Sequence, residues 1–257
     1  MSELIVALIL AVVQGITEWF PVSSSGHLVL FEHFLGYEGG LLFEIALHFG
    51  TLMAVFVYFG RDITDILREL LSLRFKTPYG RLGVLLIVAS IPAAVLGFLL
   101  RDVIMSVSGN LSMLALGFLI TSIILAIGSQ APRNARRLSY GGALLIGCMQ
   151  VFSLFRGISR SGTTISAGLL FGLPEKEAVK FSYLLSVPLI LGASLFSIEN
   201  QILPRELLWA TLLAFLVSLC VMHFSFTYVL NRREHLKWIA VYVLLLAMVT
   251  GTYAFLR

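Results

Sequence analysis

The sequence predicts an all-α integral membrane protein built as an inverted-topology repeat, with about six transmembrane helices and two re-entrant helical hairpins meeting near the membrane midplane. Three observations carry this expectation. Of 257 residues, 58% are hydrophobic and 12% charged, with a mean hydropathy of +0.96, far from the charged share of about one quarter in soluble domains. Two apolar stretches, 28–35 and 163–171, fall well short of the roughly 20 residues a crossing needs, and each follows a Ser/Gly-rich break. Finally, a shift of 136 residues lays Gln14 on Gln150, Ser23 on Ser159, Ser25 on Ser161, Gly26 on Gly162 and Gly36 on Gly172 without a gap.

Taken in order, segment 4–20 runs into Pro21, which cannot continue a helix, and Gly26 lets the chain turn again. Residues 22–26 are therefore expected to be non-helical, with 28–35 as the return arm. Segments 43–59, 82–100 and 111–127 are long enough to cross and complete a first repeat of about residues 1–130. In the second repeat, about 137–257, segment 140–155 leads into a break, 163–171 returns, and 178–198, 207–230 and 238–256 cross. A hairpin plus three crossings is an odd count, so the second copy is expected upside down within one membrane domain, 1–257. The first apolar run lacks a basic leader and a small-residue cleavage site, which reads as a retained helix and not a signal peptide. Cys148 and Cys220 have no metal or disulfide spacing and are read as small core residues.

The net charge is +4, but the basic residues sit in short loops and not in one patch, which excludes a nucleic-acid surface. Loop charge instead reports orientation. Arg61, Arg68, Arg74, Lys76, Arg81, Arg133, Arg136, Arg137, Lys176, Lys180, Arg232, Arg233 and Lys237 fall on one side, against Arg101, Arg205 and Arg257 on the other. The positive-inside rule makes the rich side cytoplasmic, leaves both termini outside, and has the first hairpin enter from the outer face.

The chemistry concentrates in the breaks. The first, QGITEWFPVSSSGH from Gln14 to His27, puts Glu18, Ser23, Ser24, Ser25 and His27 within lipid-grade sequence, where ionisable groups are costly and mark function. The second, FRGISRSGTTIS, surrounds Arg160 with Ser159, Ser161, Thr163 and Thr164, and adds Arg156. A guanidinium fork suits phosphate oxygens, Gly157 and Gly162 let backbone N–H groups approach, and a helix starting near Thr163 would add its positive end. A nucleophile set from one loop and an anion cradle from the other point to phosphoryl chemistry. A serine, Ser24 by preference, could attack phosphorus with His27 as base and Glu18 orienting it; alternatively, a metal-activated water attacks, with Glu18 as ligand and His27 as acid. Arg160 would stabilise the transferring oxygens.

These residues resemble a known family, the bacterial undecaprenyl-diphosphatases or bacitracin-resistance phosphatases, over essentially the full chain. The resemblance rests on (E/Q)GxTExxPVSSxGH at Gln14 to His27 and PGxSRSGxT at Arg156 to Thr164. It implies hydrolysis of undecaprenyl diphosphate to undecaprenyl phosphate, which recycles a lipid carrier for peptidoglycan. A divalent cation, Mg2+ or Ca2+, and an active site open to the outer face of the bacterial cell membrane are also implied. Glu18, Ser24, His27 and Arg160 would be catalytic. Gln14, Ser23, Ser25, Arg156, Ser159, Ser161, Gly162 and Thr164 would bind substrate, with Glu18 as a metal ligand. Gln14 stands where many members have Glu, and Arg156 where proline is usual, adding a charge beside the phosphate site. The partners are the polyprenyl diphosphate and membrane lipids, with homo-oligomerisation left open. The rival reading is a transporter or flippase of an anionic polyprenyl lipid, or a paralogue acting on another lipid phosphate, since inverted repeats with broken helices also build transporters.

Overall fold

Two broken hairpins, packed tip to tip among longer helices, organise the computed structural model, which describes residues 2–37, 39–133, 135–197 and 205–256. Every regular element among these residues is helical. The first half contains α1 (Glu3–Thr17), α2 (Ser24–Leu35), α3 (Gly40–Tyr58), α4 (Gly60–Leu71), α5 (Pro78–Leu99), α6 (Arg101–Val107) and α7 (Leu111–Ser129). The second contains α8 (Tyr140–Val151), a 3-10 turn (Phe152–Leu154), α9 (Arg160–Leu170), α10 (Glu175–Ser197), α11 (Arg205–Phe224), a π-helical turn (Ser225–Val229) and α12 (Glu234–Phe255). Five stretches are long and apolar enough to cross a membrane: α3, α5, α7, α12, and α11 with its π turn. A sixth long helix, α10, carries Glu175, Lys176, Glu177 and Lys180 in its first two turns. Side chains such as Phe34, Val57, Phe98, Trp209 and Met248 lie exposed on the protein surface, as lipid-facing helices require.

Both breaks are shorter than the sequence suggests, for one reason. Ser23 accepts the Gly26 N–H and Ser159 accepts the Gly162 N–H. These N-caps start α2 at Ser24 and α9 at Arg160, because a serine oxygen satisfies one of the orphan donors of the first turn. Ser24 to Gly26 are thus helical rather than irregular, and α9 begins three residues before the expected Thr163. Gln14 of α1 and Gln150 of α8 are both wholly buried.

The packing is small-residue packing. Glycine on α3 brings that helix onto α11, where a Cβ on Gly50 would lie 2.4 Å from the Thr211 carbonyl oxygen. On α8, a Cβ on Gly147 would lie 2.3 Å from the Ala89 oxygen of α5. In lipid such close approach replaces the hydrophobic drive between helices. The cysteines do not take part: Cys148 and Cys220 are free and exposed, not core residues, since an apolar thiol loses nothing by facing hydrocarbon.

Charged groups gather at one end. Lys180 pairs with Asp62 and Arg233 with Glu175. Arg233 also donates to the Ala131 carbonyl, Arg133 pairs with Glu234, and the Arg136 N–H bonds the Gly172 oxygen. Of the arginines expected at the other end, Arg257 lies outside the described residues, as does the side chain of Arg205.

One glycine decides how closely the second break packs. Gly157 has φ +89°, and a Cβ there would sit 2.5 Å from the Leu114 carbonyl oxygen of α7. Gly157→Ala should cost on the order of 1–2 kcal/mol in backbone strain, with the clash on top. Its thermal midpoint in detergent should drop well below that of Gly60→Ala, which meets open space.

Candidate active site

The first break is shaped by a carboxylate and a strained serine. After α1 ends, Glu18 holds the C-cap position and is 7% exposed. Gln14, one turn earlier, donates its amide Nε2–H to Glu18 Oε2 at 3.0 Å. The chain then turns through Pro21 to Ser23, whose φ of +68° costs a non-glycine residue on the order of 1–3 kcal/mol. That kink delivers Ser24 onto the same carboxylate: its Oγ–H donates to Glu18 Oε2 at 2.6 Å.

The second break supplies cations. Thr121 of α7 donates to the Gly157 oxygen at 2.8 Å and accepts the Ser159 N–H at 2.9 Å, fixing the loop from behind. Arg160, the first residue of α9, donates through Nη2 to Glu18 Oε1 at 2.6 Å and through Nη1 to the Ser182 carbonyl of α10 at 3.1 Å. Thr164 bonds the Arg160 carbonyl at 2.9 Å and the Ser182 hydroxyl at 2.7 Å. Ser161 reaches back to the Phe20 oxygen at 3.3 Å, joining the two breaks. Arg156 donates to both oxygens of Glu44 on α3, at 2.7 and 2.9 Å.

Between the breaks lies a cavity of about 380 Å³ whose polar walls include Glu18, Ser24, Ser25, Arg156, Arg160 and Ser161, with Ser23 and Ser159 beside them. The first residues of both α2 and α9 face it, so two helix N-termini, each with unpaired N–H groups and a partial positive charge, favour an anion there. Its other walls come from the N-terminal part of α3, the C-terminal part of α10, and α6. Those segments are the ends of helices opposite the charged pairs described above. Gln14, Gly162, Thr164 and His27 stand behind the walls.

Two side chains unmarked by the motifs belong to the site. His48 of α3 places Nε2 3.6 Å from Glu18 Oε2, and its Nδ1 carries the hydrogen because its partner at 2.8 Å is the Glu44 carbonyl. Glu44 and His48 were detectable in the sequence: a carboxylate and an imidazole four residues apart share one helical face within an apolar segment. His27 is the opposite case. The expected Ser24–His27 hydrogen bond is absent, because Nδ1 of His27 lies 2.8 Å from the Ser23 carbonyl and Nε2 lies 2.8 Å from the Tyr242 hydroxyl of α12. The group in contact with the Ser24 hydroxyl is Glu18.

The donor set also bears on a cation. Among the described residues no three His, Cys, Asp or Glu side chains cluster as a metal site. Gln14 Oε1, however, is buried beside Glu18 without a protein partner. Gln14 turns its N–H and not this oxygen toward Glu18, so Glu18, on the cavity wall, is the residue that would hold a hard cation taking its remaining oxygens from a phosphate.

Comparison with known proteins gives a family. The model of the family described as "Bacitracin resistance protein BacA" matches residues 7–249. The chain is 37% identical to an undecaprenyl-diphosphatase of Mycobacterium ulcerans (strain Agy99), over 95% of this chain and 96% of that protein. It is 42% identical to one of Rubrobacter xylanophilus over 75% of each chain. A third, from Korarchaeum cryptofilum, is 36% identical over 91% of this chain and 94% of the relative.

The buried ion pair makes a stability prediction. Arg160→Met would strand the Glu18 carboxylate, and breaking a buried pair from one side costs on the order of 3–5 kcal/mol. Adding Glu18→Gln should recover most of that loss in thermal midpoint, because no unpaired charge remains. A double variant no more stable than Arg160→Met would show that the two groups are uncoupled.

Proposed function

Since the chain belongs to the bacitracin resistance protein BacA family, we infer that it is an undecaprenyl-diphosphatase, a multi-pass membrane enzyme that hydrolyses undecaprenyl diphosphate to undecaprenyl phosphate and inorganic phosphate. It thereby regenerates a lipid carrier for cell-wall synthesis, which fits a family described by bacitracin resistance. The observation that carries this reading is the contact of Ser24 and Arg160, one from each break, with the two oxygens of Glu18. A hydroxyl on a base beside a guanidinium is what phosphoryl transfer needs. A transporter needs only the anion site and leaves the serine–carboxylate contact unexplained.

The substrate's two halves have matching surroundings. The polar cavity shares Ile104, Met105, Leu154 and Leu189 with an apolar groove of about 340 Å³ that continues past Ala93 and Phe98. A diphosphate head fits the first and a hydrocarbon tail the second.

The proposed mechanism starts with exchange of partners. An entering diphosphate competes for the Arg160 fork, which leaves Glu18 in contact with Ser24 and free to take its proton. The Ser24 Oγ–H proton passes to Glu18 as Oγ bonds to the terminal phosphorus. The bond from that phosphorus to the bridging oxygen breaks, and undecaprenyl phosphate leaves with the electron pair and takes the Glu18 proton. Water then attacks the phosphoserine, giving its proton to Glu18 and releasing phosphate, and Glu18 returns the proton to Ser24. Arg160 stabilises the equatorial oxygens throughout. Arg156, held by Glu44, is proposed to neutralise the departing phosphate. Glu18 would hold a divalent cation, Mg2+ or Ca2+, which would offset the diphosphate charge when bound.

The proposed orientation puts the charged-pair end in the cytoplasm of a bacterial cell and both termini outside. It is supported by the concentration of lysine and arginine at that end, and it opens the cavity to the outer face. Cysteines placed at Ser2 and Ala135, both exposed, should react with an impermeant reagent on intact cells only at the first. The reverse pattern overturns the orientation.

Purified protein in detergent should release phosphate from undecaprenyl diphosphate. Ser24→Ala should reduce kcat far beyond the roughly tenfold that one lost hydrogen bond costs, and rapid acid quenching of the wild type should trap phosphoserine. A Ser24→Ala enzyme within tenfold of wild type, with no trapped phosphoenzyme, assigns the attack to water instead.

A further inference from the structure

Holding Ser23 in its left-handed conformation is the step on which the serine–carboxylate contact depends, and the groups that hold it lie outside the cavity. The Ser23 carbonyl accepts two hydrogen bonds from one residue, His27: from its backbone N–H at 3.1 Å and from ring Nδ1 at 2.8 Å. A carbonyl only accepts, so Nδ1 carries the ring hydrogen, and in the neutral ring Nε2 is the lone pair. That lone pair faces the Tyr242 hydroxyl at 2.8 Å, on α12, 215 residues further along the chain. The ring is also held by its neighbours. The Tyr242 ring lies beside it, nearly coplanar, with centroids 5.9 Å apart and planes 17° apart, and Phe118 of α7 meets it edge-on at 5.7 Å. Gly26 must be glycine for this arrangement, since a Cβ there would lie 2.6 Å from the Phe118 ring.

We infer that Tyr242 and His27 form a positioning device. The Tyr242 hydroxyl donates to His27 Nε2 and locks the Nδ1–H tautomer. That tautomer clamps the Ser23 carbonyl, and the clamped kink aims Ser24 at Glu18. His27 then acts through the backbone and not as a base, and Tyr242 is a determinant of turnover from a half-exposed helix face that touches no substrate. The inference rests on the reading of Ser24 as the attacking group.

Two isosteres separate this from base catalysis. The amide Nδ2 of an asparagine overlays Nδ1 of histidine, whereas Nε2 of a glutamine overlays Nε2. His27→Asn keeps a donor for Ser23 and should retain turnover within about tenfold of wild type, whereas His27→Gln should lose on the order of 10²-fold in kcat with KM little changed, as for a misplaced reacting group. Tyr242→Phe removes one hydrogen bond and should lower kcat about tenfold at unchanged KM. Equal loss in the two His27 variants, or a more active His27→Gln, overturns the clamp, as does a Tyr242→Phe enzyme with wild-type kcat.

A readout independent of activity guards against variants that fold poorly and against failure of the phosphatase reading itself. In protein labelled with nitrogen-15 histidine, the His27 signals, assigned by their loss in His27→Asn, should report the Nδ1–H tautomer in the wild type. They should shift toward a mixture of tautomers in Tyr242→Phe. An Nε2–H tautomer in the wild type overturns the inference whatever the enzyme's activity.

Discussion

The ion pair of Glu18 with Arg160 is the interaction on which the rest of the structure depends. Each member is a charge that could not stay at this depth alone, and each comes from a different half of the chain. Removing two such groups from water costs several kcal/mol per ion, recovered only when geometry and extra hydrogen bonds are good. The surroundings supply these: Gln14 and Ser24 donate to the carboxylate, and the Ser182 carbonyl takes a second guanidinium N–H. Behind Ser182, the helix α10 is itself tied to the first break, because the Tyr183 hydroxyl donates to the Trp19 carbonyl at 2.7 Å and its ring packs edge-on against Trp19 at 4.9 Å. The pair therefore fixes the two breaks relative to each other, and the cavity is the space left around it.

The correspondence at a shift of 136 residues has a local counterpart in the two breaks. Ser24 and Arg160 occupy the same place in the two halves, each the first residue of a helix capped by the serine before it. Both donate to Glu18, one to each oxygen. The residue corresponding to Glu18 in the second half is Leu154, and Gln150 accordingly has no carboxylate one turn away; its buried side-chain amide has no protein partner. A hydroxyl from one half of the chain and a cation from the other thus meet on a single carboxylate.

Packing of small residues sets the precision of this arrangement. The second break approaches α7 so closely that Gly117 and Gly157 admit no side chain between them, and α12 packs along α7. The hydroxyl of Thr121 and the ring of Phe118, both on α7, touch the second and the first break respectively. Helix α7 is thus the common wall against which both loops are registered.

The membrane class, the paired breaks and the concentration of chemistry at Gln14 to His27 and Arg156 to Thr164 were legible from residue types alone, because polar groups in lipid-grade sequence carry a cost that only a built site offsets. Helix starts were misread by three to four residues, since a serine that caps and a serine that lines a loop look alike until its partner N–H is known. Local spacing also paired Ser24 with His27, three residues apart, whereas the fold gives the serine to Glu18, six residues away, and sends the imidazole to Tyr242. Glu44 and His48 joined the site from a helix that the motifs did not mark. The sequence determines which groups must be buried together, through the cost of burying them apart. Which hydroxyl meets which base depends on the direction of a kink at Ser23 and on contacts 215 residues distant in the chain, and those exist only once α7 and α12 have packed against the first break.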